Sequence, residues 1–356
     1  MLKVRVLVVD DSLTVRNHLI EVLRSDPELD VIGEAGDGKR AIELCQTLRP
    51  DVITLDMMLP VMSGLAITEY VMAYCPTPIL VVSSSTNRGD LYKTYDALAA
   101  GAVDVFEKPT GHEADGVWER GLIATVKIVS RIRVITHLRA KLGPAARTGA
   151  GAASSVTLAH GARKRIIGIG GSTGAPAAMV EILRGLPKGF STPILLVIHI
   201  GVAFSASFAN WLDDQSTLPV RYATDGEPLP ALGSAGVVMA PPGVHLVVQD
   251  SRLRLTAGPE RNSCRPSIDV LFESLAQAHG PESVACLLTG MGKDGAAGLL
   301  ALRRAGALTI AQDEASCVIF GMPREAIELR AVDRVLSLEQ IPPALTAVAC
   351  EAGARS

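Results

Sequence analysis

The sequence of 356 residues is poor in aromatic side chains, which make up 4% of it, and it lacks long apolar runs. No hydrophobic stretch approaches the roughly 20 residues that a membrane-spanning helix needs, so we expect no membrane insertion. The six cysteines include no Cys-x-x-Cys pair, and neither a zinc site of that type nor a disulfide framework is indicated. No basic-then-apolar leader precedes the first strand pattern, which favours a reduced, cytoplasmic protein.

A large excess of charge of either sign is also missing, since the formal net charge is -3. Positive charge is concentrated in residues 121–165, which hold 9 Lys and Arg and no Asp or Glu. The flanking stretches are acidic: residues 1–120 hold 11 basic and 19 acidic residues, and residues 166–356 hold 14 and 18. We therefore expect no nucleic-acid partner and interpret the basic stretch as a tether between two acidic domains.

The first 120 residues alternate strand patterns with helix patterns. Four of the five predicted strands are 4–9, 31–34, 52–55 and 79–82, and the fifth lies in the stretch 103–109. Strands that alternate with helices predict an α/β domain with a doubly wound parallel sheet.

Polar side chains follow the strands of this predicted sheet. They are Asp10, Asp11, Asp56, Ser83 or Ser84, and Lys108. Clustered carboxylates repel one another unless a hard cation neutralises them, so we expect Mg²⁺ to be held by the three Asp side chains. One carboxylate would then attack a phosphoryl group while Lys108 and a serine hydroxyl hold its oxygens. A single Asp after a strand is more often a helix N-cap, and that alternative stays open for each one.

These residues lie in stretches that resemble a two-component receiver domain. The matching stretches are Val-Val-Asp-Asp-Ser (8–12), Thr-Leu-Asp-Met-Met-Leu-Pro (54–60), Val-Ser-Ser (82–84) and Glu-Lys-Pro (107–109). The resemblance implies a flavodoxin-like fold, phosphorylation of Asp56 by a histidine kinase, and Mg²⁺ held with Asp10 and Asp11. It also places the switch hydroxyl at Ser83.

Residues 121–163 separate the two predicted domains. The spacing of apolar residues predicts a basic amphipathic helix over 121–142. Residues 143–163 are rich in Gly, Ala, Ser, Thr and Arg without periodicity, which is typical of a flexible linker. The predicted domains are thus 1–120, the linker region 121–163, and 164–350.

The second domain begins with the stretch 165–176, in which an apolar strand, a glycine turn and a helix start follow one another. Further apolar runs at 194–200, 236–239, 284–288 and 307–311 predict buried strands, and 245–248 with 253–256 predicts an antiparallel hairpin. A second, Rossmann-like α/β domain is indicated.

Three strand ends in this domain carry candidate chemistry. Ser172 lies in the turn after the first strand, His199 ends the second, and Asp294 lies in a glycine-rich loop after a later strand. Nucleophile, base and orienting carboxylate are the parts of an acyl-transfer triad. Each also has an ordinary alternative, since Ser172 or Asp294 would serve as a helix cap and His199 as a core residue.

Two glycine patterns around Ser172 suggest other folds. Gly168-x-Gly170 after a strand is found in dinucleotide-binding folds, but the third glycine of that fingerprint would fall on Thr173. Gly170-x-Ser172-x-Gly174 matches the nucleophile elbow of α/β-hydrolases, whose order of Ser, acid and His differs from the order here. The difference argues against that fold and leaves the chemistry possible.

The second domain resembles the catalytic domain of the chemotaxis protein-glutamate methylesterases. The stretches that carry this resemblance are 169–174, His199, 239–245, 264–272, 288–295, 311–315 and 320–323. It implies that Ser172, His199 and Asp294 are catalytic and that the esterase reaction needs no cofactor. The implied activity is hydrolysis of glutamate methyl esters on methyl-accepting receptors, with deamidation of particular glutamines as a further activity.

Other residues are weaker candidates for holding the substrate and its oxyanion: Thr173, Met291 and Arg265. Ile198 and Ile200 flank His199, where the family commonly has Gln and Met. This departure keeps an alternative open, in which the domain is a non-enzymatic, phosphorylation-dependent binding module. A third hypothesis is an esterase for a different substrate.

Overall fold

The computed structural model describes residues 3–84, 87–109, 114, 116–132, 134 and 164–350, without the side chain of Cys350. The chain divides into two compact units, with the division at Ala152. Among the described residues, no helix has both the length and the apolar character needed to cross a bilayer.

The first unit is built on a five-stranded parallel sheet. Its strands are β1 (Val4–Val9), β2 (Leu29–Ala35), β3 (Val52–Leu55), β4 (Ile79–Ser83) and β5 (Asp104–Glu107). Its helices are α1 (Leu13–Arg24), α2 (Gly38–Leu48), α3 (Gly64–Tyr74), α4 (Arg88–Ala99) and α5 (Val117–Val129). The spatial order β2-β1-β3-β4-β5 places β1 and β3 side by side and confirms the predicted doubly wound fold.

Four helices of this unit begin at a polar side chain that accepts a hydrogen bond from an amide three residues on. The caps are Ser12, Asp37, Ser63 and Asn87, for α1 to α4 in turn. Such a side chain satisfies one of the amides that an α-helix leaves without a partner. Because Ser12 caps α1 and Ser63 caps α3, capping does not account for the carboxylates at the ends of β1 and β3.

Helix α5 begins before the predicted domain limit at residue 120. Trp118 donates from Nε1 to the carbonyl of Glu107 at 2.8 Å, and Leu122 and Val126 are fully buried. These contacts draw the start of the helix to Val117 and pack it onto the first unit. The predicted helix over 121–142 therefore starts too late, and it also runs too long, because α5 ends at Val129 and residues 130–132 and 134 are not helical. The rest of that prediction, like most of the predicted linker, lies outside the described residues.

The second unit is built on a seven-stranded parallel sheet and a separate antiparallel hairpin. The sheet strands are β6 (Ile166–Gly171), β7 (Ile194–Ile198), β8 (Val220–Tyr222), β9 (Val237–Met239), β12 (Ser283–Leu287), β13 (Leu308–Gln312) and β14 (Arg334–Leu336). The hairpin consists of β10 (His245–Gln249) and β11 (Arg252–Thr256). The order β14-β13-β12-β6-β7-β9-β8 places β6 between β12 and β7.

Seven α-helices surround this sheet in the described chain. They are α6 (Ala175–Gly185), α7 (Val202–Ser205), α8 (Phe208–Gln215), α9 (Ile268–His279), α10 (Ala296–Arg304), α11 (Met322–Glu328) and α12 (Ile341–Cys350). The inner strands β6, β7, β12 and β13 are buried along their whole length, as continuous apolar runs predict for a parallel sheet with two covered faces. In both units, parallel strands bring their carboxyl ends to one edge of the sheet, where ligands bind in this type of fold.

Candidate functional site

The carboxylates predicted for the first unit lie together at the ends of β1 and β3. Val9 of β1 pairs with Leu55 of β3, so the residues that follow these strands are neighbours. Carboxylate oxygens of Asp10, Asp11 and Asp56 all lie within 4.8 Å of one another. Asp10 and Asp56 are buried, whereas Asp11 is exposed.

Lys108 reaches into this acid cluster from the end of β5. Its Nζ lies 2.8 Å from Asp10 Oδ2 and 3.0 Å from Asp56 Oδ2. Burial raises the pKa of Asp56, and the nearby Lys108 offsets this only in part. Burial also disfavours the charge on Lys108, but the two carboxylates outweigh it and raise the pKa of Lys108. At neutral pH the lysine is therefore a fixed positive charge beside Asp56.

The two serines after β4 differ in burial. Ser83, the predicted switch residue, is the last residue of the strand and is buried, whereas Ser84 is partly exposed. The carbonyl of Ser83 accepts a hydrogen bond from the amide of Lys108 at 3.0 Å. This bond ties the serine to the segment that carries the lysine.

The donor set of the acid cluster fits a hard divalent cation. Three carboxylates converge, and oxygen donors of this kind are the ligands that Mg²⁺ prefers. Asp10 Oδ1 is held by the amide of Ser12 at 2.9 Å, which fixes the orientation of that carboxylate. Asp10, Asp11 and Asp56 would hold the ion.

Ser172 lies in a tight turn between β6 and α6. The N-cap of α6 is Gly174, with a φ of +81°, so Ser172 is not the residue that caps the helix. A side chain at Gly174 would be strained at this φ, and its Cβ would come within 2.6 Å of Val318 Cβ. The turn thus needs glycine, and the serine stands between strand and helix.

Two neighbouring strands fix the position of Ser172. The amide of Ser172 donates to the carbonyl of Thr289, beyond the end of β12, at 3.0 Å. On the other side, the amide of His199, just after β7, donates to the carbonyl of Gly171 at 3.0 Å. The main chain therefore brings the ends of three parallel strands together around the serine.

His199 and Asp294 form a side-chain pair. His199 Nε2 lies 3.0 Å from Asp294 Oδ2. A carboxylate only accepts hydrogen bonds, so Nε2 carries the proton, and Nδ1 is the nitrogen with a lone pair in the neutral ring. Burial opposes charge on His199, but the hydrogen bonds with Asp294 and Cys264 outweigh it and raise its pKa to about 9.

The carboxylate of Asp294 lies at the N-terminus of α9. Its Oδ1 accepts hydrogen bonds from Ser267 Oγ at 2.7 Å and from Asn262 Nδ2 at 3.2 Å, and its Oδ2 accepts one from the amide of Ile268 at 2.7 Å. Burial would raise the pKa of Asp294, but His199 and the Ser267 hydroxyl, with the smaller contribution of Ile268, hold it below its usual value. Asp294 is thus an ionised, fixed acceptor for His199.

Among the described residues, no hydrogen bond joins the hydroxyl of Ser172 to His199. The nitrogen that would accept it, Nδ1, lies 3.7 Å from the Sγ of Cys264. Catalytic hydrogen bonds are often long before substrate binds and tighten in the complex. The structure therefore brings the predicted base and acid into contact and places the predicted nucleophile beside them through the main chain.

The weaker candidates lie around this group. Thr173 follows Ser172 directly, and its carbonyl accepts a hydrogen bond from Thr289 Oγ1 at 3.1 Å. Met291 is exposed in the loop after β12, and Arg265 is exposed, with its guanidinium on the carbonyl of Gly258 at 3.0 Å. The amide of Ala175 donates to the carbonyl of Ser172 at 2.8 Å, so it is not an oxyanion donor in this arrangement.

Sequence reasoning did not identify the residues that hold Asp294 in place. Ser267, Asn262 and the amide of Ile268 contact its carboxylate from a segment about 30 residues earlier in the chain. The available signal was Pro266-Ser267 before an apolar helix pattern, which indicates a helix N-terminus and thus a site that attracts a carboxylate.

These two sites and the two parallel sheets define an α/β protein with a receiver-type acid cluster in one unit and a hydrolase-type group of Ser, His and Asp in the other. The sequence profile of the CheB methylesterase family matches residues 167–345, and that of the response regulator receiver domain matches residues 6–114. The chain belongs to the CheB methylesterase family and carries a receiver domain, which confirms both resemblances seen in the sequence.

Relatives match over nearly the whole chain. A protein-glutamate methylesterase/protein-glutamine glutaminase of Nitrosospira multiformis is 42% identical, with 98% of each chain covered. A protein of the same description from Caulobacter vibrioides is 43% identical, with 96% of each covered. The crystal structure of the Thermotoga maritima CheB methylesterase catalytic domain is 36% identical with a TM-score of 0.49, and the match covers 52% of this chain and 98% of that one.

Proposed function

We propose that this chain is a phosphorylation-activated serine esterase that hydrolyses glutamate methyl esters on methyl-accepting chemotaxis receptors in the cytoplasm. The observation that carries the proposal is the His199–Asp294 pair, held beside Ser172 at the carboxyl ends of a parallel sheet. Membership of the methylesterase family and the descriptions of its relatives support the substrate class.

The proposed reaction has two steps. Ser172 Oγ attacks the ester carbonyl while Nδ1 of His199 takes its proton, and the resulting imidazolium returns that proton to the departing methanol. Water then attacks the acyl-enzyme with His199 as base, which releases the glutamate side chain and restores Ser172. Asp294 holds the ring and stabilises the imidazolium, and the turn after Ser172 supplies amide donors to the oxyanion.

Control by phosphorylation is assigned to the first unit. A histidine kinase would donate the phosphoryl group to Asp56, and Lys108 would pair with the added phosphoryl oxygens. Mg²⁺ bound by Asp10, Asp11 and Asp56 would neutralise charge during the transfer. Ser83, buried at the end of β4, is proposed as the hydroxyl that responds to the phosphoryl group.

Methanol release from methylated receptor membranes tests the proposal. We expect release by the wild type to rise with a small phosphodonor and Mg²⁺, and to be lost in Ser172→Ala. The matched control is Ser234→Ala, which removes an exposed hydroxyl from the same unit and should leave release unchanged. If wild type releases no methanol in either state but binds receptors only when phosphorylated, the protein is a binding module and the esterase proposal is wrong.

Deamidation of receptor glutamines is a second candidate activity, since relatives carry the description protein-glutamine glutaminase. Attack on an amide carbonyl uses the same nucleophile and base, with ammonia in place of methanol as the leaving group. Ammonia release from receptors that carry glutamine at the modification sites would test it, and Ser172→Ala should abolish this release as well.

A further inference from the structure

Cys264 places a thiol at the candidate active site. Its Sγ lies 3.7 Å from Nδ1 of His199. Ligand atoms of Cys264, His199 and Asp294 all lie within 4.8 Å of one another. The proposed hydrolysis uses His199 and Asp294 but gives the thiol no role. Thiolate, imidazole and carboxylate are the usual ligands of zinc in proteins.

The distance between sulfur and nitrogen fits shared coordination of one ion. With Zn–S and Zn–N bonds of ordinary length, two ligands of a tetrahedral zinc ion are about 3.6 Å apart. The observed 3.7 Å between Cys264 Sγ and His199 Nδ1 needs almost no adjustment. A neutral thiol–imidazole hydrogen bond has a similar length, and titration with a metal ion distinguishes a metal site from such a bond.

The orientation of the imidazole favours metal binding through Nδ1. Because Nε2 donates to Asp294 at 3.0 Å, the lone pair of the neutral ring points from Nδ1 toward the sulfur. Histidines that bind metals almost always donate their other ring N–H to a carboxylate or carbonyl in this way. Ser267 and the amide of Ile268 fix that carboxylate in turn, at 2.7 Å each.

A tight turn holds the thiol in position. The main chains of Arg261 and Cys264 exchange hydrogen bonds in both directions, at 3.1 and 2.9 Å. Between them, Asn262 and Ser263 have left-handed φ values of 52° and 60°. Cys264 is partly exposed, and so is His199, so an ion from solvent could reach both donors.

We propose that Cys264 and His199 bind a thiophilic divalent cation such as Zn²⁺, and that the bound ion inhibits the esterase. Asp294 is the outer partner of His199, and water completes the coordination. Binding releases the thiol proton to solvent, together with the Nδ1 proton where the ring is an imidazolium, and the metal then occupies the Nδ1 lone pair that would otherwise take the proton of Ser172. Metal binding at His199 and ester hydrolysis therefore exclude each other. The inhibition rests on the proposed function, whereas the metal binding does not.

Cobalt titration of the full-length protein tests binding directly, because a cobalt–thiolate bond gives a charge-transfer band. Excess Mg²⁺ is present throughout to fill the acid cluster of the first unit. We expect a band in the wild type that Zn²⁺ displaces, and its loss in Cys264→Ser. Cys75→Ser is the matched control, since Cys75 is also partly exposed but lies in the first unit. Asp294→Asn should weaken binding by about 10–100-fold, as loss of an outer partner does.

Methanol release measured with and without Zn²⁺ tests inhibition, each variant being compared with its own zinc-free rate. Zn²⁺ should inhibit wild type and Cys75→Ser, a chelator should restore both, and Cys264→Ser should resist. A wild type without the cobalt band, or the same band in Cys264→Ser, would overturn the site. Equal inhibition of wild type and Cys264→Ser would overturn the inhibitory role. A wild type that releases no methanol would refute the proposed function, and the cobalt titration would still decide the metal site.

Discussion

Ser267 supports both a helix and the candidate catalytic acid, so replacing it with alanine should cost more than an ordinary helix cap. Its hydroxyl accepts from the amide of Val270 at 3.4 Å and donates to Asp294 at 2.7 Å, and the residue is fully buried. Loss of a cap costs about 1 kcal/mol. Loss of a buried hydrogen bond to a charged group costs about 1.5–3 kcal/mol. We therefore expect Ser267→Ala to lower the free energy of unfolding of the second unit by about 3 kcal/mol.

The control is Ser337→Ala in the same unit, which removes the capping serine of a three-residue 3₁₀ helix (Leu338–Gln340) that has no carboxylate partner. It should cost no more than about 1 kcal/mol. Urea unfolding can be followed for the second unit alone, because the chain has two tryptophans, Trp118 in the first unit and the buried Trp211 in the second. Both variants are therefore made in a Trp118→Phe background, and the fluorescence of Trp211 reports the transition.

Equal losses for Ser267→Ala and Ser337→Ala would refute the reasoning, because the bond to Asp294 would then contribute nothing measurable. Esterase activity supplies a second readout. Asp294 Oδ2 keeps its bonds to His199 and to the amide of Ile268 in Ser267→Ala. The folded variant should therefore retain turnover, with a reduction far smaller than that of Asp294→Asn.

Three further predictions concern the two sites. Because only neutral His199 acts as a base and its pKa is raised to about 9, kcat/KM should rise with pH up to about 9. In Asp294→Asn the rise should occur at lower pH, because the carboxylate that raises the pKa of His199 is gone. Gly290→Ala would place a Cβ 2.7 Å from the Cβ of Ser172, the proposed nucleophile, so esterase activity should fall at least about tenfold. Gly189→Ala, with open space around it, should behave as wild type. Lys108→Met should abolish phosphodonor-stimulated methanol release without lowering the basal rate. Removal of Mg²⁺ should likewise abolish the stimulated release by wild type and leave its basal rate. Stimulation in Lys108→Met would contradict the role of Lys108 beside the acid cluster.

The parts of the fold that follow from the sequence are the buried inner strands. Continuous apolar runs at 166–169, 194–198 and 284–287 have no polar face, and in an α/β pattern they can only be covered on both sides. Strands β8 and β14 were not predicted, because each has three residues and keeps exposed or half-exposed positions. Their pairing with β9 and β13 makes them strands, and that pairing is tertiary information.

The residues of the candidate sites also divide into those whose proximity follows from the sequence and those whose proximity does not. Asp10, Asp56, Ser172 and His199 follow strands directly, and parallel strands end at one edge of a sheet, so their proximity could be predicted. Cys264 could not be placed from spacing, because it lies 65 residues from His199 and arrives by way of a turn after the hairpin. For the same reason, the absence of a Cys-x-x-Cys pair says nothing about a site assembled from distant segments.

The carboxylate of Asp294 lies against the N-terminus of α9, which links the chemistry of the second unit to the local stability of that helix. The amide of Ile268 is the first amide of α9 and donates to the carboxylate at 2.7 Å, so opening of the helix start breaks this bond to Asp294. Local opening of the first turn is the event that exposes such an amide to hydrogen exchange. Exchange at this single amide therefore measures, in the absence of any substrate, the fraction of molecules in which the start of α9 holds the Asp294 carboxylate.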